Sequence, residues 1–181
     1  MTIQPEFSHT VAVDSLIPDK PRAARFAATD AECAALARRF DLQSLSGLTA
    51  DLTVTRLSDG NIIKIEGNFS AEVVQTCVVS LQGVPAEIRA HLDTYFTEDG
   101  KEGFDEDLPA DAGMEDEFPD TVMQNGQLDL GELVAQYLAL ELDPYPRAPG
   151  VSLAAQLAGT GGEQPNRPFQ ALKKLKADED E

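Results

Sequence analysis

The sequence predicts an α+β fold in which an antiparallel β-sheet packs against two main α-helices. Three observations carry that expectation. Much of the chain between residues 48 and 96 alternates apolar and polar residues with period two, the mark of strands buried on one face. Two other stretches, residues 29–40 and 129–142, space their apolar residues three and four apart behind residues able to cap a helix. At 181 residues, the chain is long enough to build one core of that kind. The pattern leaves open whether the sheet stays flat-edged or curls into a barrel.

The first element is a strand in which Phe7, His9, Val11 and Val13 alternate with Ser8, Thr10, Ala12 and Asp14. Pro18 and Pro21 then break the chain. Thr29-Asp30-Ala31-Glu32 is a capping box, in which hydroxyl and carboxylate satisfy the first free amides of a helix. Behind it Cys33, Leu36, Ala37 and Phe40 form one apolar stripe. Leu48, Ala50, Leu52 and Val54 then point to one side of a strand, with Thr49, Asp51, Thr53 and Thr55 on the other. Asp59-Gly60 supplies the positive-φ pair of a tight hairpin. The returning strand is expected over residues 62–81, with Ile63, Ile65, Phe69, Ala71 and Val73 inward and Gly67 marking a bulge or bend. After Pro85, Ile88, Ala90, Leu92 and Phe96 complete a meander.

Residues 98–120 change character: 11 Asp or Glu stand against the single Lys101, with Gly and Pro scattered among them. Such a stretch has too little apolar surface to offset its ordering entropy, so it is expected to be a mobile acidic loop. The second helix follows, with Asp129 as cap, Glu132 closing the box, Leu128 and Leu133 placed as a staple, and Leu130, Leu133, Val134, Tyr137 and Leu138 as its stripe. Pro144 stops it, and residues 144–149 form a stiff Pro-rich arm. One domain is thus expected over residues 1–149. Residues 150–181 are expected to be a linker and a short helix or tail, in which Phe169, Leu172 and Leu175 recur in steps of three.

Composition narrows the function. Fourteen Lys and Arg face 32 Asp and Glu, for a formal charge of −18, and a field of that sign repels phosphate and suits a basic partner. No apolar run approaches the length needed to cross a bilayer, and the amino terminus lacks the pattern of a secretory signal. A cytoplasmic location without membrane contact is therefore expected. The two cysteines, Cys33 and Cys77, are expected to be free thiols. The catalytic inventory is thin. His9 and His91 are the only imidazoles and both fall in strand patterns, no phosphate loop is present, and Cys77-Val78-Val79-Ser80 has one thiol where a metal or redox pair needs two. The acidic stretch lacks the ordered ligand spacing of a calcium loop. The expectation is a protein that binds another macromolecule, with no enzyme activity, no cofactor and no metal.

Several of these pieces occur together in a familiar order. Gln75-Thr76-Cys77-Val78-Val79-Ser80-Leu81 is followed by the acidic stretch and by Leu128-Asp129-Leu130-Gly131-Glu132-Leu133. Leu140-Glu141-Leu142-Asp143-Pro144-Tyr145-Pro146-Arg147 and Asn166-Arg167-Pro168-Phe169-Gln170-Ala171-Leu172 complete the order. Essentially along its whole length the chain resembles the YceD family, in its alphaproteobacterial form. These are bacterial proteins linked to accumulation of large-subunit ribosomal RNA. The resemblance implies a factor in large-subunit biogenesis. Many relatives carry Cys-x-x-Cys before Leu where this chain has Cys77 and Ser80, so Cys77 is a family-motif residue of unknown role. Joined to the charge, the resemblance points to a basic ribosomal protein or an assembly intermediate as partner. The expected contacts are Asp105, Glu106, Asp107, Glu115, Asp116 and Glu117 of the acidic stretch, Asp129 and Glu132 of the helix, and Tyr145, Arg147 and Phe169 beyond it. The rival reading is a module contacting ribosomal RNA directly through Arg22, Arg25, Arg38, Arg39 and Arg147.

Overall fold

The computed structural model describes residues 5–57, 62–97, 120–121 and 126–151. In chain order these form strand β1 (Thr10–Ala12), a 3₁₀ turn (Val13–Ser15), strand β2 (Arg22–Ala27), helix α1 (Asp30–Arg39), and strands β3 (Ser44–Arg56), β4 (Ile62–Thr76) and β5 (Gly83–Thr97). Two short strands, β6 (Asp120–Thr121) and β7 (Gln127–Asp129), precede helix α2 (Leu130–Glu141). The expected α+β class holds. Strands β2-β3-β4-β5-β6 make one five-stranded sheet, antiparallel except for the β5–β6 pair, and its two edges stay apart, so it is not a barrel.

Alternation places the core. Leu48, Ala50, Leu52 and Val54 of β3, Ile63, Ile65, Phe69, Ala71 and Val73 of β4, and Ile88, Leu92 and Phe96 of β5 are all buried on one face. The helices close over that face with Cys33, Leu36 and Ala37 of α1 and Leu130, Leu133, Val134 and Leu138 of α2, giving a single cluster. Each fully buried Leu among them contributes about 2 kcal/mol. Thr49, Asp51, Asn68, Ser70, Arg89 and His91 point the other way and leave the second face polar.

Three details differ from expectation. The amino-terminal strand does not extend the meander: β1 pairs with β7 in a separate two-stranded sheet, Val11 opposite Leu128. The edge strand is instead β2, in a stretch that carried no strand signal. Strand β4 ends at Thr76, short of residue 81, because the chain turns at Cys77. The bulge lies in β3, where the register shifts between Ser46 and Thr49. Gly67 is needed for close approach instead, since a Cβ there would lie 2.2 Å from the Asp51 carbonyl oxygen. The hairpin residues 58–61, the acidic stretch 98–119 and the segment 152–181 lie outside the described residues.

Both helices start as their sequences dictate. The Thr29 hydroxyl accepts from the Glu32 amide while the Glu32 carboxylate accepts from the Thr29 amide, at 3.3 and 2.7 Å. Asp129 caps α2 by accepting from the amides of Gly131 and Glu132 at 3.0 and 3.2 Å. It does more than cap: the same buried carboxylate accepts from the Ser8 hydroxyl at 2.6 Å and the His9 amide at 2.9 Å. Gly131 makes room for that strap, because a Cβ there would meet His9 N at 2.7 Å and Phe7 O at 2.8 Å.

Removing a carboxylate with four donors strands buried N–H groups, whereas an amide keeps the oxygen that serves the three backbone donors. Asp129→Ala should therefore lower stability by about 3 kcal/mol and Asp129→Asn by about 1 kcal/mol, read from urea unfolding midpoints. Equal losses for the two would show that the carboxylate is not the hub described.

Candidate functional site

The turn joining β4 to β5 and the Pro-rich arm leaving α2 meet at one end of the molecule. The turn closes on itself through Cys77 N–H to Gln82 O at 2.8 Å and Leu81 N–H to Cys77 O at 3.0 Å. It does so without glycine, by putting Leu81 in left-handed backbone at φ 61°, a conformation that is costly for a branched side chain. In the arm, Pro144, Pro146 and Pro149 supply no N–H groups, so few donors remain to be matched. The Tyr145 amide goes to Asp143 Oδ1 at 2.8 Å and the Ala148 amide to Cys77 Sγ at 3.3 Å. From the other side, the Val78 amide donates to Pro146 O at 2.9 Å and Gln75 Nε2 to Asp143 O at 2.8 Å. Turn and arm are thus one hydrogen-bonded unit.

Cys77 lies at its centre. The residue has no accessible surface. The amides of Ala148 and Ser80 donate to its sulfur at 3.3 and 3.4 Å, and the Ser80 hydroxyl beside them is buried. That hydroxyl, followed by the amides of Ala148 and Ser80, holds the thiol down to about 6 from an ordinary 9.0. Among the described residues no group of three or more His, Cys, Asp or Glu is placed to hold a metal. The second thiol, Cys33, is buried in α1, and both cysteines are free.

The expected contact residues divide sharply. Tyr145 is 71% exposed on the arm, and Arg147 is exposed beside it. Asp129 is the buried hub just described. Glu132 does not reach back to complete a box, because Arg39 takes both of its oxygens at 2.7 and 2.8 Å and adds Glu6 at 3.0 Å. That guanidinium holds the Glu132 carboxyl below its usual range, and the Arg39 pKa is raised in return. Asp105, Glu106, Asp107, Glu115, Asp116, Glu117 and Phe169 lie outside the described residues. The five arginines of the rival reading fall on three separate elements: Arg22 and Arg25 on β2, Arg38 and Arg39 on α1, and Arg147 on the arm.

Sequence reasoning missed two features. One is Val78 and Leu81, 50% and 75% exposed, which looked like strand interior because no glycine or proline marks the turn. The other is a shallow groove of about 930 Å³ on the polar face of the sheet. Its polar lining includes Arg25 paired with Asp51, Arg89 paired with Glu87, Asn68 bonded to His91, and Thr49 bonded to Ser70. Alternation foretold a polar face there, but not that its groups would satisfy one another.

A family model described as "Large ribosomal RNA subunit accumulation protein YceD" matches residues 65–176. No curated protein and no solved structure matches the chain. The matched span takes in most of β4, the Cys77 turn, β5, α2 and the arm. No helix among the described residues is long and apolar enough to cross a membrane.

The depressed thiol makes a pH-dependent contribution to stability. A folded-state value near 6 against about 9 when unfolded means that the gain is complete above pH 9 and is lost as pH falls through 6. The stability difference between the wild type and Cys77→Ser should therefore shrink steadily between pH 9 and pH 5 in urea titrations. A difference independent of pH would mean that the sulfur is not held as a thiolate.

Proposed function

The chain belongs to the YceD family, whose description ties it to accumulation of large-subunit ribosomal RNA, and from that premise we propose that it works by binding a basic ribosomal protein or an assembly intermediate. The family description names no reaction, and the reading is of a non-enzymatic factor acting in the cytoplasm.

The observation that supports a protein partner over RNA is the state of the cations. Arg25, Arg39, Lys64 and Arg89 each lie against carboxylates of the same chain: Asp51, Glu132 with Glu6, Glu66 with Asp93, and Glu87 respectively. Those pairs neutralise these cations locally, and the sequence as a whole carries 32 acids against 14 bases. Affinity for a phosphate backbone draws on cations available to replace counterions. Cations matched in this way are poorly suited to that, and a chain with so large an excess of acids suits a lysine- and arginine-rich protein better. The acidic residues 98–120 supply much of the field, a net of −10 from 11 acids and one Lys.

Replacing the Asp and Glu of residues 98–120 by Asn and Gln should slow association with purified basic large-subunit proteins about tenfold or more and flatten its salt dependence, as stopped-flow at several salt concentrations would read. Surface charges are screened over about 8 Å at physiological salt, so the wild-type rate should fall steeply as salt rises. Tighter binding of large-subunit RNA by the neutralised variant, with no loss toward any ribosomal protein, would overturn the reading in favour of direct RNA contact.

A further inference from the structure

Exposed large apolar side chains are few among the described residues: Ile17, Val78, Leu81, Leu140 and Tyr145. Two of the five stand on the Cys77 turn, one on the arm and one on the last turn of α2, from which the arm leaves. Singly such residues need no explanation, but apolar side chains gathered at one end of a molecule mark a contact surface. Their setting is built. The Val78 amide is bonded to Pro146 O, next to Tyr145, and the Cys77 sulfur ties the turn to Ala148. Leu81 is three-quarters exposed on left-handed backbone, where a glycine would sit without strain. The left-handed backbone closes the turn, but the large apolar side chain that it projects into solvent adds nothing to the fold, and strain of this kind gathers at sites of function.

Charge narrows the occupant. On residues 76–82 and 140–148 the only charged side chains are Glu141, Asp143 and Arg147, a net of −1 on a molecule of −18. Asp143 is exposed beside Tyr145, with one carboxylate oxygen taken up by the Tyr145 amide. A nucleic acid would meet apolar groups, two carboxylates and the single guanidinium of Arg147 here. A basic polypeptide with aliphatic or aromatic residues among its cations would meet both of its complements.

We propose that the Cys77 turn and the Pro-rich arm form the docking surface for an apolar, lysine- and arginine-rich segment of a large-subunit ribosomal protein, with Val78, Leu81 and Tyr145 as its anchors. The proposal rests on the reading that the partner is a basic protein, and names where that partner is held. The surface is preformed, because the hydrogen bonds between turn and arm fix the anchors before anything binds, which spares the ordering cost of association.

The test uses the full chain with purified basic large-subunit ribosomal proteins, and polylysine as a probe of charge alone. Against each protein bound by the wild type, the triple variant Val78→Ser, Leu81→Ser, Tyr145→Ser should lose at least about tenfold in affinity through faster dissociation. Its association rate, salt dependence and polylysine binding should stay at wild-type values. The single variant Leu81→Gly separates binding from folding: glycine relieves the strain, so stability should hold or rise while affinity falls.

Wild-type affinity in both variants, with salt-dependent binding intact, overturns the docking surface and leaves the basic partner standing. Failure of every basic protein to bind the wild type overturns both. A photo-crosslinker at position 81 should join the added ribosomal protein. Its capture of the chain's own residues 166–176, a second copy or RNA in place of that protein overturns the proposal.

Discussion

The Asp129 carboxylate is the constraint on which much of the architecture depends. A buried anion without partners would be excluded from a core, so its place under α2 requires the donors that surround it. Two come from the first turn of the helix, whose dipole also favours a negative charge, and two from residues 8 and 9 at the other end of the chain. The carboxylate therefore fixes the start of α2 and the path of the amino terminus together. The pairing of β1 with β7 follows directly, since Thr10 lies opposite Asp129 and the Leu130 amide bonds to His9 O. Gly131 is the steric half of the same device. With α2 set in this way, its far end delivers the arm to the Cys77 turn.

A second device joins the helices. Arg39, at the end of α1, holds Glu132 in the first turn of α2 with two bonds and Glu6 with a third. Pairs as exposed as these contribute little each to stability, but an Arg that bridges three segments fixes their relation. On the sheet's polar face the same economy recurs without such reach. Arg25 with Asp51 and Arg89 with Glu87 leave the groove between them without net charge, despite its two guanidinium groups. Direct RNA contact is favoured by a concave surface of positive charge, and this groove, with its cations paired, is not one.

The helices and the three long strands were legible because their signals are local. Caps and period-two alternation need only a few neighbours in sequence. Strand β2 was not legible: Arg22-Ala23-Ala24-Arg25-Phe26-Ala27 buries little beyond Ala24, and as an edge strand it exposes its arginines. The apolar residues in Cys77-Val78-Val79-Ser80-Leu81 read as continuing strand, because a turn made with Leu at positive φ carries no compositional mark. The roles of Asp129 and Glu132 were half legible. Sequence placed both at a helix start, but their other partners, Ser8, His9 and Arg39, are about ninety or more residues away. That separation hid the structural partners of both carboxylates from the sequence, whereas Tyr145 and Arg147 stand at the surface as expected of an arm.

The acidic field and the apolar end are suited to different stages of one encounter. Coulomb attraction between exposed charges acts over roughly a Debye length and weakens with salt, so it governs how often a basic partner arrives and with what orientation. It discriminates poorly among basic partners, because any dense array of Lys and Arg satisfies it. Apolar contacts act only at van der Waals range, and their fit to the partner decides how long it stays. On the proposed reading, specificity therefore does not rest on the acidic residues alone. In that reading it comes from short-range shape, for which the turn and arm at Cys77 offer a hydrogen-bonded surface with large side chains already in place.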